Sequence, residues 1–257
     1  RFKGTELDVD SLTIQHELGD LALNGHLSLV EYYPLKATLS AHSRLPWLDQ
    51  QLKGRDAKLV AEGPLTDLNG ALTLTGQEQL TAKVRLNTLA PDLPFTFSAA
   101  WKALQWPLVG TPDIQALSGQ LESSGHLSAY QARLTSQLKQ AHLPDLQLDS
   151  QMTGSLAGLE FKPLSLKTAH SSLQVNGQLG WTDGLRWQGQ LQGQTQAIKE
   201  WLPDMEGRLS LQVTSKFDYA QGHWQLSLPN VKGEGVLNGY ALNMAGKLAG
   251  NDQHQWQ

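Results

Sequence analysis

Leu173-Gln174-Val175-Asn176-Gly177-Gln178-Leu179-Gly180-Trp181-Thr182-Asp183-Gly184-Leu185-Arg186-Trp187-Gln188-Gly189-Gln190-Leu191-Gln192-Gly193 decides the fold. Every odd position in it is apolar or glycine except Asp183, while the even positions carry Gln174, Asn176, Gln178, Arg186, Gln188, Gln190 and Gln192. A repeat of two places one face of a β-strand against apolar material and the other in water. Keeping both apolar sets on one face requires Trp181 to stand opposite Leu185 across Thr182-Asp183-Gly184. A type I turn closed by a left-handed residue wants glycine third, where Gly184 stands. The expected pairs are Leu179 with Trp187 and Val175 with Leu191.

The same reading extends outward. Asn238-Gly239, a strong two-residue turn signal, sets Leu237 opposite Tyr240, so Gly233, Gly235 and Leu237 share a face with Leu242, Met244, Gly246 and Leu248. A turn at Gln221-Gly222 sets Tyr219 against Trp224 and continues Leu209, Leu211, Val213 and Phe217 into Leu226 and Leu228. Earlier segments alternate alike: Leu21 to Leu29, Leu35 to Leu39, Leu80 to Leu86, Phe95 to Trp101, and Leu146, Leu148, Met152 and Leu156. Consecutive hairpins predict an all-β chain built as a long antiparallel meander.

Helical periodicity is confined to Leu45–Leu52 and Ile198–Met205, each with a Trp-Leu pair near a proline and each expected to be a short helical turn between strands. Residues 104–112, with Pro107, Gly110 and Pro112, read as an irregular connection. A loose Gly-x-Leu repeat recurs at Gly25, Gly119, Gly125, Gly177 and Gly207. Residues 1–257 are therefore expected to form a single elongated β-sheet segment, and the opening Arg1 and the closing Asn251–Gln257 suggest a piece of a longer protein.

Of the 257 residues, 20 are basic and 24 acidic, a net charge of -4 that offers nucleic-acid phosphates no basic field. Charged residues make up only 17 % of the chain, so Gln, Ser, Thr, Asn and Gly carry its polarity. Without cysteine there is neither a disulfide framework nor a thiolate ligand or nucleophile. No apolar run is long enough to span a bilayer as a helix, and no basic-then-apolar leader opens the chain.

The patterns of catalytic chemistry are missing. The eight histidines show no metal-ligand spacing and read as solvent-facing side chains. Asp8 with Asp10, and Asp145 with Asp149, read as solvated strand faces rather than a glycosidase pair. Neither a Gly-x-Ser-x-Gly elbow nor a phosphate-cradling glycine loop occurs. The expectation is a protein without enzymatic activity, metal or cofactor.

What remains is the apolar face, rich in leucine and in Trp47, Trp101, Trp106, Trp181, Trp187, Trp201, Trp224 and Trp256. A long meander without covering helices hides such a face by pairing two sheets or by curling around something apolar. Periodicity does not choose between these.

A resemblance does. Gly184–Leu191, Trp201-Leu202-Pro203, Gly207-Arg208-Leu209, Gly222-His223-Trp224-Gln225-Leu226 and Pro229 resemble the TamB family, subunits of a translocation and assembly module within the AsmA-like superfamily. Leu45-Pro46-Trp47-Leu48 and Gly54-Arg55-Asp56-Ala57-Lys58-Leu59 are similar too. The resemblance implies an interior segment of a periplasmic protein of a Gram-negative bacterium, anchored in the inner membrane. It also implies contact with an outer-membrane barrel, TamA, through parts of the longer protein outside this sequence. It implies a β-taco, a curled sheet with an apolar groove that conducts phospholipid between inner and outer membrane. Under that reading the lipid-groove residues are Leu173, Val175, Leu179, Trp181, Leu185, Trp187, Leu191, Leu209, Leu211, Val213, Trp224, Leu226, Leu228, Leu242 and Met244. Two alternatives stand beside it: a chaperone-like component assisting outer-membrane β-barrel protein and autotransporter assembly through its strand edges, and a passive scaffold with a filled sandwich core.

Overall fold

The computed structural model describes residues 2–17, 19–43, 55–107, 112–140 and 143–252. Two compact units divide the chain, Arg1–Leu127 and Ser128–Gln257.

The first unit runs β1 (Phe2–Lys3), β2 (Glu6–His16), β3 (Gly19–Ser28), β4 (Leu35–Ser43), β5 (Asp56–Gly63), β6 (Leu68–Thr75), β7 (Gln79–Leu86), β8 (Phe95–Trp106) and β9 (Ile114–His126). Each strand pairs antiparallel with the next in sequence. The second unit repeats the scheme with β10 (Ala129–Gln140), β11 (Leu143–Ser155), β12 (Gly158–Lys167), β13 (Ser171–Gly180), β14 (Leu185–Thr195), β15 (Gly207–Ala220), β16 (His223–Leu237) and β17 (Tyr240–Asn251). Again every pairing of consecutive strands is antiparallel.

The expected registers hold. Val175 pairs with Leu191 and Leu179 with Trp187, with Gly184 at φ +121° in the turn between them. Tyr219 faces Trp224, and Leu237 faces Tyr240 across Asn238-Gly239, both at positive φ. Ile198–Glu200 is a single 3-10 turn, as the short helical pattern there predicts. Leu104, Gln105 and Trp106, expected in an irregular connection, instead extend β8 opposite Ala116, Gln115 and Ile114. Leu156 lies in the turn after β11, 69 % exposed, rather than on the strand face. Trp47, the Leu45–Leu52 pattern, residues 108–111 and Trp256 lie outside the described residues.

Four β-bulges keep the apolar face continuous where the sequence changes phase. Two residues oppose one at Asp10-Ser11, Pro144-Asp145, Lys162-Pro163 and Pro229-Asn230. The extra residue lets Val9 be followed on the same face by Leu12, Phe161 by Leu164, and Leu228 by Val231. Proline suits three of these sites because a bulge leaves a residue outside the ladder, where a missing N–H costs little.

Candidate functional site

Cross-strand pairs build the apolar face of the second unit in rows. One row runs Leu164, Val175, Leu191, Val213, Val231. Beside it run Leu148, Leu166, Leu173, Gly193, Leu211, Gly233 and Met244. On the other flank Leu159, Leu179, Trp187, Phe217 and Leu226 follow one another. The structure thus places most of the expected groove residues on one face. Leu209 and Leu242 flank Gly235 at one margin of it, while Trp181 and Leu185 stand at the opposite margin, 42 % and 40 % exposed. Leu228 sits at the Pro229-Asn230 bulge, opposite Leu248.

This face is not the interior of a filled sandwich. Among the described residues Ile198 is the single buried apolar side chain, while the leucines of the central rows are half-exposed. A packed core would instead bury most of its Leu, Val and Phe completely.

Glycines shape the floor. The indole of Trp187 lies over Gly177 and Gly189, leaving no room for a Cβ at either, and its Nε1 donates to Ser215 Oγ at 2.8 Å. Phe161 flanks it, ring centroids 6.1 Å apart and tilted by 58°. Met244 covers Gly233, and Tyr130 covers Gly154, in the same way. Large side chains lying flat over glycine give a smooth apolar surface with its polar handles tied down.

The face is hollowed near the start of β15, where a pocket of about 200 Å³ is lined by Leu146, Leu166, Leu173, Leu209, Leu211 and Trp201. Over this hollow folds the β14–β15 connection, carrying Ile198 and Trp201. Trp201 Nε1 donates to Ser171 Oγ at 2.8 Å, and Ser171 and Thr168 hydroxyls donate to Glu200 Oε2 at 3.0 and 2.7 Å. Sequence reading found the turn and counted Trp201 with the tryptophans of the apolar face, but left it out of the groove residues.

The first unit carries an equally complete face that the expected groove residues leave out. Leu12, Leu23, Leu39, Leu59, Leu72, Ala82, Ala99 and Leu121 form one row across β2–β9. A hollow of about 580 Å³ includes Ile14, Leu21, Ala41, Ala57 and Leu74 on its lining. Trp101 lies over Gly119 here as Trp187 lies over its glycines. Alternation at Leu21–Leu29 and Phe95–Trp101 had signalled this face.

Charged groups near the faces are paired: Arg55, on the lining of the first unit's hollow, pairs with Glu78, both buried. His26 bridges Asp8 and Glu6 at 2.6 and 2.8 Å, and the hydrogen bond to Asp8, with the fields of both carboxylates, raises its pKa. Arg85 grips Asp67 through two hydrogen bonds of 2.5 and 2.7 Å, holding that carboxyl below its usual range. Glu160 is lowered likewise, first by Lys162. No described helix is long and apolar enough to cross a membrane.

The antiparallel meander expected from the sequence is present, with an apolar face in each unit, and a family model described as TamB, N-terminal domain, matches residues 1–257. The chain belongs to the TamB family. It is 25 % identical over 253 residues to the translocation and assembly module subunit TamB of Haemophilus influenzae, covering 96 % of this chain and 19 % of that protein. The TamB-family chain thus spans about a fifth of the length of that relative. No solved structure matches it.

Proposed function

We propose that this TamB-family segment is a non-enzymatic conduit whose apolar faces carry the acyl chains of phospholipid between the inner and outer membranes. The observation that carries the reading is the half-exposed apolar face: rows of Leu, Val and Trp continue from strand to strand without a covering layer among the described residues. Each methylene transferred from water onto such a face contributes about 0.8 kcal/mol, so ten methylenes contribute roughly 8 kcal/mol without any charge pairing. Headgroups stay in water at the strand ends.

In this reading the segment lies in the periplasm of a Gram-negative cell, within a longer protein anchored in the inner membrane. Parts outside this sequence meet the barrel TamA, the partner in a translocation and assembly module. Assistance to outer-membrane β-barrel assembly is the second reading, and it would use strand edges instead of this face.

An acidic residue at Trp187 or Leu211 in the longer protein separates the outcomes. The conduit reading expects phospholipid movement to the outer membrane to stop while the protein accumulates folded. Unfolding of both variants would point to a packed interior, and unimpaired lipid movement would remove the face from the mechanism.

A further inference from the structure

The two margins of the second unit's apolar face differ. At the margin formed by the β11–β12, β13–β14 and β15–β16 turns, the connections are as short as Leu156-Ala157 and Gln221-Gly222. Trp181, Leu185 and Tyr219 stand exposed there, and Trp181 Nε1 is tied to the Leu156 carbonyl at 2.8 Å. At the other margin the long connection between Thr195 and Gly207 folds inward, burying Ile198 and walling the 200 Å³ hollow with Trp201.

We propose that the Ile198–Trp201 lip makes this hollow a blind seat for the methyl end of a hydrocarbon tail, so that amphiphiles lie across the face with their headgroups at the Trp181–Tyr219 margin. The proposal rests on the conduit reading and assigns it a direction.

The polar side chains of the lip are tied to one another. Ser171 Oγ accepts from Trp201 and meets Thr195 Oγ1 at 2.8 Å and Glu200 at 3.0 Å, while Thr168 Oγ1 donates to Glu200. The strands beneath use their backbone groups on one another. A polypeptide entering the seat would bury N–H and C=O groups without partners, a penalty a hydrocarbon does not incur. Indole and phenol at the open margin suit a boundary that is apolar on one side and wet on the other.

The test uses the whole 257-residue chain and two photoreactive distearoyl phosphatidylcholines, one with a diazirine at the methyl end of a tail and one in the headgroup, with adducts mapped by mass spectrometry. The expected result is methyl-end adducts at Trp201, Leu209 and Leu211 and headgroup adducts near Trp181 and Tyr219. Trp201→Ala should lose the clustering of methyl-end adducts and keep those at the open margin. Adducts on the apolar face in the reverse order, or both probes scattered alike, would overturn the orientation while leaving the conduit standing. Adducts absent from the face altogether would overturn both.

Discussion

Trp187 shows how single residues make the face. Its ring occupies the space that Cβ atoms at Gly177 and Gly189 would need, and its Nε1 is held by Ser215. Trp187→Ala should therefore cost about 2 kcal/mol in chemical denaturation, less than truncation of a fully buried tryptophan because the ring is half open to solvent. Gly189→Leu should cost a similar amount by displacing that ring. On the polar side, His26 gives a pH dependence whose sign follows from its partners. Asp8 and Glu6 raise its folded pKa above the unfolded value near 6.5, so its stabilisation is complete below about pH 6.5 and is lost as pH rises through the folded value. Wild type should thus be more resistant to denaturant at about pH 6 than at about pH 8 by a margin that His26→Gln removes. Equal pH responses of the two proteins would contradict the assignment.

At the scale of elements, much was legible and the reasons are specific. Between Leu173 and Gly193 strict alternation, a Gly184 turn and matching faces all demand one register, and the structure has it. The bulges were not legible, because a phase change such as Phe161 to Leu164 reads in sequence as an end of alternation rather than as Lys162-Pro163 stepping out of the ladder. Trp201, counted with the apolar face, was left out of the groove residues because a turn between strands carries no period from which its direction could be read. These bulges bear on pairing directly. Deleting Pro229 leaves Asn230 alone opposite Lys247, so Leu228 and Val231 alternate regularly and Val231, Gly233 and Leu237 keep their face. Amide exchange of β17 should keep its protection in that variant; a β17 that loses it would show that the register does not rest on this count of residues.

For the molecule as a whole, surface area agrees with the half-open faces. Two separate globular units of this mass would together expose about 13,500 Å², whereas the chain exposes 16629 Å². Strands pair with their sequence neighbours within each unit, so stability is built locally, as in repeat proteins. A charge at Leu211 should then lower amide protection in β14–β16 and leave β2–β8 unchanged; loss of protection throughout would reveal a shared core. The central claim is that the apolar face holds lipid. Native mass spectrometry of the chain purified from Gram-negative cells, wild type beside Leu211→Asp, tests it most directly. The account predicts phospholipid bound to the wild type and absent from a variant that keeps its β circular dichroism. A folded wild type that carries no lipid, and takes up none from added phospholipid, would contradict it.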